Sequence, residues 1–196
     1  LSGSANLGAD AALYTPDDIM AGRLPDGPTI VYDDDHYYMG SVVAELLKSK
    51  GMDVTLVTPA DVISSWATYT NERWRAQTKL MEMGVELKVS QSLQSFDGAC
   101  ASLACTFTGR VTQLEATSIV LVTARQPNDA LFHALQKVQL NSSGKTFKSL
   151  RKIGDCDAPA IIAAAVFSGH RYARELDEEI DTDNPLKYDR VFFEDT

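Results

Sequence analysis

The clearest pattern in the sequence is a pair of short apolar runs separated by a stretch with helical spacing. Residues 29–32 and 54–57, TIVY and VTLV, are rich in the β-branched and aromatic residues that favour strands. Between them, the spacing of apolar residues over residues 37–50 is typical of an amphipathic helix that ends at Gly51. A connection of this length joins parallel strands by a right-handed crossover. Residues 29–57 are therefore predicted to form a β-α-β unit.

The pattern continues to about residue 122. Residues 71–84 carry a second helical pattern, and residues 85–89 alternate strictly between apolar and polar, which predicts a strand with one wet face. Turn signals near residues 97–98 and 108–109 divide residues 92–114 into two or three short antiparallel strands. Residues 118–122 are apolar throughout, which favours a strand buried on both faces. We expect one Rossmann-like α/β domain over residues 28–140.

The two ends of the chain have weaker patterns. Residues 1–27 lack a sustained period and are predicted to be a linker with one helical turn, begun by Thr15 and Pro16. After a polar stretch, a short strand over 150–153 leads into Gly154 and Asp155, and a helix follows over about 158–176. One strand and one helix cannot make a domain alone. Residues 148–196 are thus expected to complete a domain whose other strands precede the first residue.

Trp66, Tyr69 and Trp74 are interpreted as an aromatic cluster of the core, with a docking patch for electron transfer as the alternative. The three cysteines, Cys100, Cys105 and Cys156, are interpreted mainly as small packed hydrophobic residues.

Composition and charge indicate a globular protein and argue against some classes of partner. The chain has 196 residues, of which 44% are hydrophobic and 23% charged, values typical of a globular protein. Its formal net charge is −9, and residues 175–196 contribute −7 of it. This balance argues against nucleic acid and anionic membranes as partners, and no apolar run is long enough to cross a bilayer. Cysteines in so sparse and odd a number favour a reducing, cytoplasmic location.

The β-α-β unit stands where a dinucleotide-binding domain carries Gly-x-Gly-x-x-Gly. Here only Gly40 remains, and the acidic run Asp33, Asp34 and Asp35 replaces the first glycines. Carboxylates at the positive end of a helix dipole would repel a phosphate. The second strand ends in Thr58, not in the acid that would hold a ribose. Either a nucleotide pocket has been dismantled, or this β-α-β unit never bound a nucleotide.

Several motifs together carry a family resemblance. Residues 122–128, VTARQPN, resemble the Ala-Thr-Gly-x-x-Pro-Asn signature of flavoproteins with two dinucleotide domains, and residues 153–155, IGD, resemble their Gly-Asp signature. With residues 31–40 (VYDDDHYYMG), 153–159 (IGDCDAP) and 168–176 (SGHRYAREL), the chain resembles the C-terminal third of the trimethylamine dehydrogenase family, which includes dimethylamine and histamine dehydrogenases.

The resemblance implies an N-terminal TIM barrel with FMN and a [4Fe-4S] cluster, followed by domains like the FAD and NAD domains of disulfide reductases. Residues 28–140 would be a degenerate NAD-like domain, and residues 148–196 the end of the FAD-like domain, which holds ADP in trimethylamine dehydrogenase. Gly154 and Asp155 match the nucleotide motif, and the backbone at Pro159 and Ala160 would face the phosphates. The glycine fingerprint of the FAD-like domain has no counterpart here.

The family also implies partners and a reaction. The barrel of the same enzyme would be one partner, an electron-transferring flavoprotein would accept the electrons, and the full-length protein would be a homo-oligomer. We expect no catalytic residue and no metal ligand in this chain. Two alternatives stay open: the same portion of an NAD(P)H-dependent ene-reductase, and a free-standing, non-catalytic binding module.

Overall fold

The computed structural model describes residues 5–142 and 146–176 and divides into two compact units, one up to Ala124 and one from Arg125. In the first unit the strands are β1 (Asn6–Leu7), β2 (Ala12–Tyr14), β3 (Thr29–Asp33), β4 (Val54–Val57), β5 (Glu86–Lys88), β6 (Gln91–Phe96), β7 (Cys100–Cys105), β8 (Val111–Glu115) and β9 (Ser118–Val122). Its helices are α1 (Pro16–Met20), α2 (Met39–Ser49) and α3 (Arg73–Glu82), with a 3-10 helix at Ser65–Thr70. The second unit contains α4 (Ala130–Asn141), a 3-10 turn (Gly154–Cys156) and α5 (Ile162–Glu175).

The centre of the first unit is a five-stranded sheet in the order β2-β9-β3-β4-β5, with every pairing parallel. Thr29 of β3 pairs with Val54 of β4 on one side and with Ser118 of β9 on the other. All five residues of β3 are buried, as expected of a central strand covered on both faces. The predicted β-α-β unit is therefore confirmed.

The second sheet of this unit has the order β1-β6-β7-β8. Strands β6, β7 and β8 form an antiparallel meander, whose turns lie at the predicted positions near Gly98 and Gly109, both in left-handed conformations that suit glycine. The sequence expectation of short antiparallel strands over residues 92–114 is confirmed.

Two hydrophobic clusters cover the faces of the parallel sheet. Side chains alternate along β3, so that Val31 packs toward the helices and Ile30 and Tyr32 pack toward the second sheet. The first cluster includes Val43 and Leu47 of α2 together with Leu80 of α3, and the second includes Leu93, Phe96 and Leu103 of the meander. Helices, parallel sheet and second sheet form three layers, which confirms the α/β, Rossmann-like class.

Residues 5–27 differ from a simple linker. The predicted helical turn is present as α1, where Thr15 and Asp18 form a reciprocal capping box. Strand β2, however, extends the five-stranded sheet beside β9, and β1 extends the second sheet beside β6. Strand β1 is two residues long and β2 is three, so both are too short for an alternating pattern to be recognised in the sequence.

The aromatic residues Trp66, Tyr69 and Trp74 do not lie in the core. Their exposed fractions are 58%, 81% and 74%, so the interpretation as a core cluster is wrong. Trp66 and Tyr69 lie on the 3-10 helix, with ring centroids 5.7 Å apart, and Trp74 lies on the outer side of α3 beside Arg73. Leu80 is the only buried residue of helix α3, and Trp74 and Met81 on the same helix are exposed. The cysteines also differ from expectation, since all three are partly exposed.

The second unit departs further from the sequence pattern. Residues 150–153 do not form the predicted strand, although Ile153 has extended backbone angles, because no strand lies in the described part of this unit to pair with them. Helix α5 begins at Ile162, four residues later than predicted, and α4 was not predicted. Neither helix contains a buried residue. The predicted acidic tail lies outside the described residues, except for its first two residues, Glu175 and Leu176.

None of the helices in the described residues is long and apolar enough to span a membrane.

Candidate functional site

The acidic run after β3 is held by the sheet itself. Asp33 is the last residue of β3, and the Asp34 amide donates to the carbonyl of Val122 at 2.8 Å, which continues the pairing with β9. The Asp33 side chain is completely buried, and its Oδ1 accepts hydrogen bonds from the amides of Asp35 and His36 at 3.2 and 3.0 Å. The carboxyl thus shapes the turn that leads into α2.

Burial raises the pKa of Asp33 to about 6, against an ordinary value of 3.8. Its two amide donors and the His36 charge favour the carboxylate, but desolvation has the larger effect. The second oxygen, Oδ2, is buried without a hydrogen-bond partner in the described residues. A charge so poorly compensated is the kind of feature that cores otherwise avoid.

Gly40 lies against this carboxyl. A Cβ atom on Gly40 would approach the Asp33 Cγ to 2.5 Å, so only glycine fits here while Asp33 keeps its position. Gly40 belongs to the first turn of α2, where Tyr38 at the N-cap makes no side-chain hydrogen bond to the helix. In a dinucleotide-binding domain this end of the helix faces the pyrophosphate. Here the Asp33 carboxyl lies beside it.

The three carboxylates predicted to act together have separate environments. Only Asp33 packs against α2. Asp34 turns toward His36, whose Nε2 lies 3.1 Å from Asp34 Oδ1, and Asp35 is exposed. His36 has a left-handed φ of +63°, which the sequence did not reveal, although histidine enters this region more readily than most residues. The Asp34–His36 pair is the feature of this edge that sequence reasoning missed.

Thr58 is also engaged within the fold. It is completely buried at the end of β4, its amide donates to the Lys88 carbonyl at 3.0 Å, and its Oγ1 accepts from the Ala60 amide at 3.3 Å. Its hydroxyl therefore stabilises a local turn. The position at which a dinucleotide domain places a ribose-binding acid carries a structural threonine instead.

In the second unit, the structure brings Gly154 and Asp155 to the approach of α5. Gly154 has a φ of +60°, and its amide donates to Ser168 Oγ on α5 at 2.8 Å. Asp155 is exposed, and its Oδ1 lies 3.4 Å from the amide of Ala160. Ser168 was not predicted as a site residue, although it begins the SGH motif that carried part of the resemblance.

Pro159 and Ala160 lie in the irregular segment that precedes α5, which begins with Ile161 at its N-cap. Ile161 has extended backbone angles and no side-chain acceptor for the free amides of the first turn. The four predicted nucleotide-binding residues therefore lie within one loop and at the open end of one helix. Their binding role stays a prediction.

No group of three or more His, Cys, Asp or Glu residues that could hold a metal ion occurs in residues 5–142 and 146–176.

Several known proteins are similar to this chain in sequence and in structure. No protein-family model matches the chain. The dimethylamine dehydrogenase of Hyphomicrobium sp. (strain x) is 29% identical over 93% of this chain and 28% of its own length. The histamine dehydrogenase of Rhizobium sp. 4-9 is 34% identical with a TM-score of 0.87, over 100% of this chain and 31% of the other.

A third similar protein is the 6-hydroxypseudooxynicotine amine oxidase of Pseudomonas geniculata N1. It is 36% identical with a TM-score of 0.75, over 81% of this chain and 24% of the other. The flavoprotein disulfide reductase RclA of Escherichia coli, at 13% identity and a TM-score of 0.58, shares the fold alone. The chain spans about 30% of the length of the two dehydrogenases. In sequence and structure, it corresponds to the C-terminal region of trimethylamine dehydrogenase-like proteins.

Proposed function

We propose that this chain is the nucleotide-domain portion of an iron-sulfur flavoprotein amine dehydrogenase. In this assignment residues 28–140 are an NAD-like small domain that no longer binds NAD, and residues 148–196 belong to an FAD-like domain that binds ADP or FAD. The observation that carries the proposal is the buried Asp33 carboxyl against Gly40, at the end of α2 that would otherwise face a pyrophosphate.

The physical argument concerns charge and space. A pyrophosphate beside α2 would meet the Asp33 carboxylate, and the repulsion between like charges is strong where water is excluded. The carboxyl cannot turn away cheaply, because its Oδ1 holds the amides of Asp35 and His36. An enzyme that passes its electrons to a protein acceptor has no need of an NAD site.

The second unit supplies a group that fits a nucleotide. The exposed Asp155 carboxylate can accept hydrogen bonds from sugar or ribityl hydroxyl groups, and the uncapped start of α5 offers free amides to phosphate. We assign Gly154, Asp155, Pro159 and Ala160 to this contact. Gly154 positions the loop, because its left-handed backbone and its bond to Ser168 Oγ fix the turn.

The rest of the enzyme would carry the reaction. We expect an N-terminal barrel with FMN and a [4Fe-4S] cluster, in which the flavin, when bound, accepts two electrons from the amine. Oxidative N-demethylation or deamination would follow, with an electron-transferring flavoprotein as acceptor. No residue of this chain is assigned a catalytic role. We further propose that the full-length enzyme is a homo-oligomer, and the sparse cysteines support a cytoplasmic location.

The test uses the full-length protein purified without oxygen. Flavin absorbance is followed while dimethylamine, histamine or NADH is added, and the released cofactors are identified by chromatography and by iron and sulfide analysis. The proposal predicts that an amine bleaches the flavin and NADH does not, with iron, FMN and an adenine nucleotide in the extract. Bleaching by NADH but by neither amine would identify an ene-reductase instead. A short gene product without flavin or iron would identify a free-standing module.

A further inference from the structure

In the second unit, Asp129 links helix α4 to the loop that carries Gly154 and Asp155. It is the N-cap residue of α4, yet its side chain makes no capping hydrogen bond to that helix. Instead, its Oδ2 accepts a hydrogen bond from Lys152 Nζ at 2.9 Å, across 23 residues of sequence. His133 Nε2 lies 3.1 Å from the same oxygen. One carboxylate therefore joins the start of α4 to the residues that lead into the loop.

The ion pair between Asp129 and Lys152 is partly shielded from water. The two side chains are 26% and 23% exposed, whereas that of Asp157, 3.9 Å from the same lysine, is 59% exposed. Lys152 Nζ also lies 5.5 Å from the centre of the Phe132 ring. The hydrogen bond within the pair lowers the pKa of Asp129 and raises the pKa of Lys152. Both groups are thus charged at neutral pH and should interact more strongly than a fully exposed pair.

The same loop has a second anchor on α5. The Gly154 amide donates to Ser168 Oγ at 2.8 Å. Lys152 and Gly154 are partly buried, whereas Asp155 is exposed. The loop is therefore held at two positions, two residues apart, while the Asp155 carboxylate stays open to a ligand. A loop that is fixed in this way before binding loses less conformational freedom when a ligand arrives.

We propose that Asp129 is a positioning residue for the nucleotide contact of Gly154 and Asp155, because it holds the loop through Lys152. This inference rests on the proposed function, which assigns the nucleotide to that loop. Asp129 itself does not touch the nucleotide. Loss of its carboxylate would release Lys152, so that fewer molecules would have the loop in its binding conformation. The apparent affinity for the nucleotide would fall in proportion.

The negative charge of Asp129 gives this proposal a distinctive sign. ADP and FAD are anions, so by charge alone the loss of a nearby carboxylate would strengthen their binding. A direct contact of Lys152 with a phosphate would predict the same increase, since Asp129 would no longer compete for the lysine. A positioning role predicts the opposite result, weaker binding when the carboxylate is lost.

The test measures ADP binding, and FAD binding in a parallel series, to the full-length enzyme freed of bound nucleotide, by calorimetry. Asp129→Asn should weaken binding about threefold to tenfold, the range expected for a partly shielded ion pair. Asp129→Glu keeps a carboxylate that can reach Lys152 and should stay within about twofold of wild type. Asp157→Asn removes the same charge from a more exposed neighbour of Lys152 and should also stay within about twofold.

Unchanged or tighter binding by Asp129→Asn would overturn this inference and leave the proposed function intact, since the wild type would still bind the nucleotide. A wild-type enzyme that binds neither ADP nor FAD would overturn both. If Asp129→Asn fails to fold, Lys152→Gln decides. It should weaken ADP binding and also speed hydrogen exchange at the Gly154 amide in the nucleotide-free enzyme. Weaker binding without faster exchange would indicate a direct phosphate contact of Lys152 and refute the positioning role.

Discussion

Helices α2 and α5 have similar sequence patterns but different surroundings. Both are amphipathic, yet α2 buries Val43 and Leu47 against the parallel sheet, whereas Val166 and Phe167 of α5 are each 53% exposed. The described part of the second unit has no sheet to receive the apolar side of α5. The pattern of a helix therefore predicts which side will be covered, but burial itself depends on the partner that the fold supplies.

Local bonds are prominent in the described part of the second unit, whose two helices bury no residue. Ser149 Oγ lies 3.0 Å from the Tyr172 hydroxyl, and Arg151 lies 3.5 Å from the Glu175 carboxylate. Such exposed contacts contribute little free energy, typically below about 1 kcal/mol each. The first unit instead depends on two hydrophobic clusters. Matched substitutions in the two units should therefore have unequal effects.

The largest expected difference in stability is between the variants Leu56→Ala and Leu131→Ala. Leu56 is completely buried in β4, so its truncation should lower the free energy of unfolding by about 2–5 kcal/mol. Leu131 on α4 is 72% exposed, and the same truncation there should change the free energy of unfolding by less than about 0.5 kcal/mol. Urea unfolding followed by circular dichroism measures both. A cost for Leu131→Ala near that for Leu56→Ala would break the comparison.

The next largest difference in stability is expected between alanine substitutions at the two helical glycines, Gly40 in α2 and Gly169 in α5. Alanine normally favours a helix over glycine by about 1 kcal/mol. At Gly40 the new Cβ would meet Asp33, so Gly40→Ala should destabilise the first unit by about 2–3 kcal/mol. A Cβ added at Gly169 would have no atom of the described residues within 4 Å apart from the backbone of its own helix, and Gly169→Ala should leave the chain as stable or more stable. Thermal unfolding of the two variants compares them, and a stabilising Gly40→Ala would show that Asp33 does not hold the position described.

The smallest of the three effects is a pH dependence. Because the pKa of Asp33 is raised to about 6 in the folded protein, its protonated form favours the fold. This stabilisation is complete below about pH 4 and is lost as the pH rises through 6. Asp33→Asn removes the titration, and with it a loss of about 1–1.5 kcal/mol in the free energy of unfolding between pH 5 and 7.5. Urea unfolding at pH 5 and 7.5 measures it, with Asp35→Asn as control, and an unchanged pH dependence in Asp33→Asn would contradict the assignment.

The sequence predicted the parallel strands, the meander and α2 well because their apolar periods and turn residues are local signals. It failed where the outcome depends on distant partners. The predicted strand over 150–153 has no other strand beside it in the described residues, and β2 is recognisable only through its pairing with β9. Trp74 has the spacing of a buried residue, yet α3 meets the sheet through Leu80.

The candidate site shows the same limit. The sequence indicated that acids replace the phosphate-binding glycines, since Asp33, Asp34 and Asp35 are adjacent. It could not show that Asp33 alone packs against Gly40 while Asp34 pairs with His36, because that division follows from the alternation of β3 and from the left-handed turn at His36. The link between Gly154 and Ser168 is likewise non-local, over fourteen residues.

Asp33, buried against Gly40, should exclude a dinucleotide phosphate from the first unit. Titration of the 196-residue chain with NADH, followed by nicotinamide fluorescence at pH 7.5, tests it directly. We predict that neither the wild-type chain nor Asp35→Asn gives a saturable change in nicotinamide fluorescence at millimolar NADH. Micromolar binding of NADH that is weakened by substitutions at Gly40 would contradict the claim and restore a working dinucleotide site to this sheet.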